Sequence, residues 1–417
     1  MLAKRKILIF LLVICSANLY YSLNQNLRNP VFHHASEIWA DKAGYYMYLP
    51  ATFIHNWDPL SFPDSIESKI GFGFKANIDS QYLFTKYPPG VAVLETPIFL
   101  IGHMIIKIVA PDQANGFTAP YQIVRIVSVH AYLFIGLLCL ALLALNFGRG
   151  VYQIIGVLSI IIFGTNVWYS AIWQPGMSHL YSFALVAILL YFIYSPKNSL
   201  YWLKIGLLLG LIGCTRLVNL VIIFPLAIGY YHLFASEPKK LRALLGLFIG
   251  TFIGLVPQIA HSLYLKNMGL VAYANEGFPN WLSPKFDALY WSATNGIAIY
   301  TPIFAAVMLY TLYTFVINRN RLDLMSLALF IGISYIYGSW WCPTMGCCIG
   351  HRSFIDFLPI FFLPLIKKEI KPPLIVAGLL IMASIYTSYL SYKYPGCLDD
   401  GGGIYPWKWT EYFGLWK

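Results

Sequence analysis

The feature that most restricts this chain is its series of apolar runs, each about twenty residues long and nearly free of charge, which is the helical span of a bilayer. The run from Ile7 to about Leu23 is the first, preceded by Lys4-Arg5-Lys6. An outer-membrane barrel would instead alternate polar and apolar residues over ten-residue segments, so the expected fold is an all-α polytopic membrane protein. A water-soluble chain is excluded by 59% hydrophobic against 11% charged residues. The same balance excludes intrinsic disorder, which needs low hydrophobicity and high charge.

The formal charge of +11 invites a nucleic-acid reading, but the basic residues form short clusters between apolar runs, which is how membrane orientation is encoded. No nucleic acid is therefore expected, and membrane lipids, anionic ones included, are the partners of that charge. Apolar segments begin near Gln122, Val151, His179, Tyr201, Leu217, Leu241, Asn295, Leu322, Phe354 and Leu374. With the first, about eleven transmembrane helices are predicted. Basic clusters at Arg149, at Lys197 and Lys204, at Lys239-Lys240-Arg242, at Arg319 with Arg321, and at Lys367-Lys368 with Lys371 fall in every second connection. Placing them all inside, with the N-terminal run retained as a signal anchor, puts the other connections outside. The apolar stretch Val91 to Ala110 would invert this order if it crossed. Its Glu95, His103 and Lys107 share one helical face, so it is predicted to lie in the interface, within a large first extracytoplasmic loop over residues 24–121. The chain reads as a single membrane-embedded domain, 1–417, with an outer aromatic tail over 391–417.

Most acidic residues then face outward, and so should any chemistry. Asp41 lies soon after the first helix, before an aromatic stretch suited to the interface. A carboxylate partly desolvated there is a better proton acceptor, as a general base acting on a hydroxyl requires; alternatively, Asp41 caps a helix beginning at Lys42. At the far end of the loop, Thr85-Lys86-Tyr87-Pro88-Pro89-Gly90 holds a lysine before a fixed backbone near a helix N-terminus, which suits a phosphate or, equally, lipid headgroups in general. Arg125, Arg216 and Arg352 are further outer-side cations. Tyr45 and Tyr46 are candidates for stacking on a sugar. His179 and His351 are candidates for hydrogen bonding to sugar or acceptor, with a satisfied structural histidine as the other reading.

These residues resemble the GT-C superfamily of membrane glycosyltransferases, in particular the lipid A aminoarabinose transferases and protein O-mannosyltransferases. The similarity rests on Asp41 after the first helix, Lys86 before Pro88-Pro89, Arg125 early in the next spanning helix, Gly213-Cys214-Thr215-Arg216, and the stretch Trp340 to Pro359 with Arg352. It implies an enzyme that moves a sugar from a polyprenyl-phosphate donor to a hydroxyl of a lipid, glycan or protein acceptor. Asp41 would be the base, and Lys86, Arg125, Arg216 and Arg352 would hold the donor phosphate. It also implies an outward-facing site in a membrane such as the bacterial inner membrane. No cofactor and no obligatory metal are expected, because Lys42 follows Asp41 where many members carry a second acid; a divalent cation stays open. The alternative function is a secondary transporter or lipid-linked sugar flippase, though interrupted helices in paired halves are not evident in the sequence.

Cys342, Cys347 and Cys348 crowd one outer loop beside His351. Without a C-x-x-C spacing, and in an oxidising compartment, a disulfide is expected over zinc or free thiols, with Cys397 as a candidate partner.

Overall fold

A computed structural model describes residues 2–77, 82–265, 276–346, 348–369 and 374–393. Among these, seven helices are long and apolar enough to cross a membrane. They are Leu2–Asn26, Gly90–Val109, Ala119–Asn146, Leu217–Ala235, Lys240–Tyr264, Arg321–Ser339 and Ile375–Lys393. An eighth span results if Val151–Phe163 and Val167–Trp173, bent by 56° at their junction, are taken together. His179–Ile193, Tyr201–Thr215 and Pro302–Asn318 are shorter apolar helices. The protein is thus an all-α integral membrane protein.

The apolar run from Phe354 does not form one helix. It breaks into Arg352–Phe357, a 3-10 turn, and the short helices Leu358–Phe361 and Leu363–Lys367. Pro359 and Pro364 interrupt it, each lacking an N–H to donate to the preceding turn. Phe354, Phe357, Phe361 and Leu363 are all buried, so the irregular backbone lies within protein, where a membrane fold tolerates it.

The Gly90–Val109 helix runs antiparallel along the N-terminal half of Ala119–Asn146. The Tyr132 hydroxyl donates to Leu94 O at 2.9 Å, and His103 Nδ1 meets the Tyr121 hydroxyl at 2.5 Å. Glu95 and His103 are buried, whereas Ile101, Ile105 and Ile108 are exposed. The stripe that reads in sequence as water-facing is, for these two residues, a contact with the neighbouring helix.

Several of the basic connections pair with acids or with one another's backbone. Lys368 pairs with Asp323 at 2.8 Å, and Gln153 Nε2 donates to Lys368 O at 2.7 Å. Lys197 pairs with Glu237 at 3.2 Å. Before the Gly90–Val109 helix, a small antiparallel pair joins Lys75–Asn77 to Tyr82–Phe84, and Tyr46, Phe62 and Phe74 share an aromatic core with Phe99 of that helix and with Phe117.

Candidate functional site

The helix that carries Asp41 spans Ala40–Tyr46, so Asp41 lies within its first turn. Its carboxylate does not cap this helix; it accepts from the Tyr87 hydroxyl. Gly44 makes that contact possible. It lies one turn after Asp41 on the same face, and a Cβ there would fall 2.1 Å from the Tyr87 ring. With that space empty, Tyr87 lies across the helix and reaches Asp41, while Tyr45 packs on the same ring at 4.7 Å between centroids.

The proline-glycine motif after Lys86 docks the loop onto a second element. A Cβ at Gly90 would sit 2.3 Å from the backbone of Cys214, so only glycine lets the two chains meet there. Arg216 follows directly, ending the Tyr201–Thr215 helix in extended conformation. Its guanidinium is held from beneath: Nε lies 3.8 Å from Asp356 Oδ2, Nη1 lies 3.2 Å from the His179 ring nitrogens, and Nη2 donates to the Tyr337 hydroxyl at 3.2 Å. Asp356 is fully buried and also meets His179 Nδ1 at 2.7 Å and Asn219 Nδ2 at 2.8 Å.

Asp41, Tyr45, Lys86, Arg216 and Arg352 all line one cavity of about 720 Å³, whose aromatic walls include Phe278, Tyr337, Trp340 and Trp341. Arg352 Nη2 lies 3.8 Å from Asp41 Oδ2, and its Nε finds no acceptor among the described residues. Lys86 pairs with Glu276. The Asp41 side chain is 43% exposed, so the carboxylate is open to an incoming group. An accessible carboxylate, three cations lining one cavity, and flat aromatic walls can together bind a phosphate, take a proton and stack on a sugar.

Four expected residues are elsewhere. Arg125 is 1% exposed, and its donors are consumed within the protein: Nε and Nη2 by Glu95, Nη1 by the Glu37 and Lys42 carbonyls, and Nη2 also by Gly176 O at 3.0 Å. A guanidinium has five N–H groups, and this count leaves none for a phosphate. Tyr46 is fully buried, donates to Gly116 O at 2.7 Å and lies under the Arg125 guanidinium. His179 supports Arg216 from below. His351 is buried and donates from Nε2 to Pro343 O at 2.9 Å; burial pushes its imidazole down to about 3, which keeps it neutral.

The disulfide expectation falls partly on Cys347 and Cys397, which lie outside the described residues. Cys348 is a buried thiol donating to Gly350 O, and burial pushes it up to about 11. Cys342 lines the cavity, its Sγ 3.7 Å from Thr344 Oγ1. Among the described residues, no group of three or more His, Cys, Asp and Glu side chains is placed to hold a metal ion.

Sequence reasoning missed Tyr87, Glu276, Tyr337 and Asp356. Asp356 falls in the Trp340 to Pro359 stretch already marked, but its partner His179 is 177 residues away, as Lys86 is 190 residues from Glu276, and no local pattern shows either pairing.

The sequence matches no protein-family model and no curated protein. Its structure is similar to the apo crystal structure of the Archaeoglobus fulgidus oligosaccharyltransferase, with a TM-score of 0.51 and 12% identity, covering 94% of this chain and 57% of that one. The archaeal oligosaccharyltransferase AglB from Archaeoglobus fulgidus, solved with an inhibitory peptide and a dolichol-phosphate, aligns with a TM-score of 0.49 and 12% identity, covering 94% and 56%. The chain thus spans a little over half the length of the structures it matches. At this identity the likeness is one of fold alone: the chain is an integral membrane protein whose fold is similar to that of the Archaeoglobus fulgidus oligosaccharyltransferase.

Proposed function

We propose that this protein is a membrane glycosyltransferase that moves a sugar from a polyprenyl-phosphate donor to a hydroxyl of a lipid, glycan or protein acceptor. It acts at the extracytoplasmic face of a membrane such as the bacterial inner membrane. The observation that carries this reading is the single cavity in which the accessible Asp41 carboxylate faces Lys86, Arg216 and Arg352. The fold shared with an oligosaccharyltransferase supports it.

Transfer breaks the bond between the anomeric carbon and the phosphate oxygen and forms one to the acceptor oxygen. The acceptor proton passes to Asp41, and the phosphate leaves with the bonding electron pair. Tyr87 and Arg352 hold the carboxylate in place for that proton. The charge that grows on the departing phosphate is met by Arg216, whose planar fork suits two oxygens, and by Lys86 as a mobile point charge. Asp356 and His179 keep the Arg216 fork aimed. Helices His179–Ile193 and Tyr201–Thr215, at 15 residues each, span about 22 Å, short of a hydrocarbon core of about 30 Å. A site at their ends is sunk into the membrane, where a donor can react with its lipid tail still immersed.

The test is transfer of labelled sugar from polyprenyl phosphates in reconstituted membranes. Asp41→Asn keeps size and removes the base, and should lower the rate about a hundredfold to ten-thousandfold with folding intact. Turnover at the wild-type rate would remove Asp41 from the mechanism.

A further inference from the structure

A second cavity, of about 350 Å³, lies far from Asp41 in sequence and structure, at the N-terminal ends of the Tyr201–Thr215 and Lys240–Tyr264 helices. These two helices run parallel and unusually close. A Cβ at Gly206 would fall 2.3 Å from Leu247 O, one at Gly210 2.3 Å from Thr251 O, and one at Gly250 2.2 Å from Leu203 O. Close parallel packing sets two helix N-termini side by side, each with roughly half a positive charge. Neither terminus has a side-chain cap.

The cations Lys197, Lys239 and Arg242 line the same groove, against one acid, Glu237. That acid is already spent, accepting from Lys197 Nζ at 3.2 Å and from Trp202 Nε1 at 3.0 Å. Lys239 and Arg242 make no ion pair among the described residues. The groove is therefore electropositive, with Lys239 and Arg242 in excess of its one acid, which pairs with Lys197. Its remaining wall is apolar, through Leu245 and Ile249, and continues into the exposed Leu241, Phe248 and Phe252 of the same helix. Positive charge at the mouth and an apolar track beside it match a molecule with a charged head and a hydrocarbon tail.

We infer that this groove binds a phosphate group, delivered as the headgroup of an anionic membrane lipid on the face opposite the candidate active site. Arg242 supplies a fork for two phosphate oxygens, Lys239 a point charge, and the positive ends of the two helices favour the anion. This site is independent of the proposed transfer reaction.

The experiment is native mass spectrometry of the full chain in neutral detergent, titrated with phosphatidylglycerol and, as a zwitterionic control, phosphatidylcholine. The wild type should retain one phosphatidylglycerol more tightly than phosphatidylcholine. The double variant Lys239→Gln/Arg242→Gln should bind it about tenfold or more weakly, having lost two charge-assisted contacts. Arg319→Gln/Arg321→Gln, which removes equal charge outside the groove, should bind it as the wild type does. Equal losses in the two variants would mean general surface attraction and overturn the site, as would no loss in either. A separate arm adds excess inorganic phosphate. If it displaces the lipid with the same dependence on Lys239 and Arg242, the phosphate site stands and a soluble anion can fill it. If it does not, the lipid tail is part of the recognition.

Discussion

Arg125 and Arg352 each lie beside a carboxylate within the assembly around the first loop, yet their surroundings differ. Arg125 spends its donors on Glu95 and three backbone carbonyls, joining the Gly90–Val109 and Ala119–Asn146 helices to the turn bearing Glu37 and Lys42 and to Gly176. Glu37 extends the brace, pairing with Lys42 Nζ at 2.9 Å and accepting from Gly176 N at 2.5 Å. Arg352 stands 3.8 Å from Asp41 and lines the cavity, and its buried Nε has no acceptor among the described residues. Both are arginines near acids on the outer side of the sequence map. The two differ in how far their donors are already used within the protein.

The largest effect expected from this contrast is in folding. Arg125→Ala leaves Glu95 buried without its partner, and breaking a buried pair costs about 3–5 kcal/mol. Thermal melting in detergent should show a sharply destabilised or unfolded protein, and Arg125→Lys should rescue little, since three donors cannot replace five. If Arg125→Ala melts normally and loses only donor binding, Arg125 belongs with the cavity and the contrast breaks. Lys86→Ala should do the opposite, since its pair with Glu276 is partly exposed: the melting temperature changes little while sugar transfer falls about ten- to hundredfold, the worth of hydrogen bonds to a charged group.

A smaller effect is one of pH. His351 is buried beside the cavity with its imidazole at about 3 in the folded chain, below its ordinary 6.5. The unfolded chain therefore takes the proton first as pH falls. The contribution is whole above about 6.5 and is lost progressively toward about 3, at no more than roughly 1.4 kcal/mol per pH unit. Melting curves of wild type and His351→Gln over that range should converge as the pH falls; parallel curves would mean the loop does not hold His351 neutral. The smallest effect concerns the Lys86–Glu276 pair, whose side chains are 34% and 19% exposed. Such a pair is worth about 0.2–1 kcal/mol, so Glu276→Gln should tighten donor binding by at most about fivefold. A weaker donor affinity would show that Glu276 orders the site instead of competing for Lys86.

Much of this contrast was readable in the sequence, and part of it was read wrongly. Lys86 and Gly90 sit in a motif whose prolines and glycine have local consequences, and Arg216 ends an apolar helix, so their positions followed from hydropathy and backbone preference. Arg125 carries the same sequence signal, an arginine early in a spanning helix, and the structure gives it another task. Glu95 and His103 show the same failure: a polar stripe on an apolar helix reads identically whether it meets water or the buried side chains of a neighbour. The Phe354 run shows the reverse, since Pro359 and Pro364 were visible and still lost to the hydropathy average.

The sequence by itself determined that the chain is helical and membrane-embedded, because hydropathy and charge act over a single segment and need no partner. It also placed Asp41, Lys86, Arg216 and Arg352 among the candidates. Only the tertiary structure decided which cations converge and which are already satisfied. Hydrogen-bond satisfaction is a count over partners far apart in the chain, such as Asp356 for His179 and Glu276 for Lys86, and that count exists only once the helices have packed.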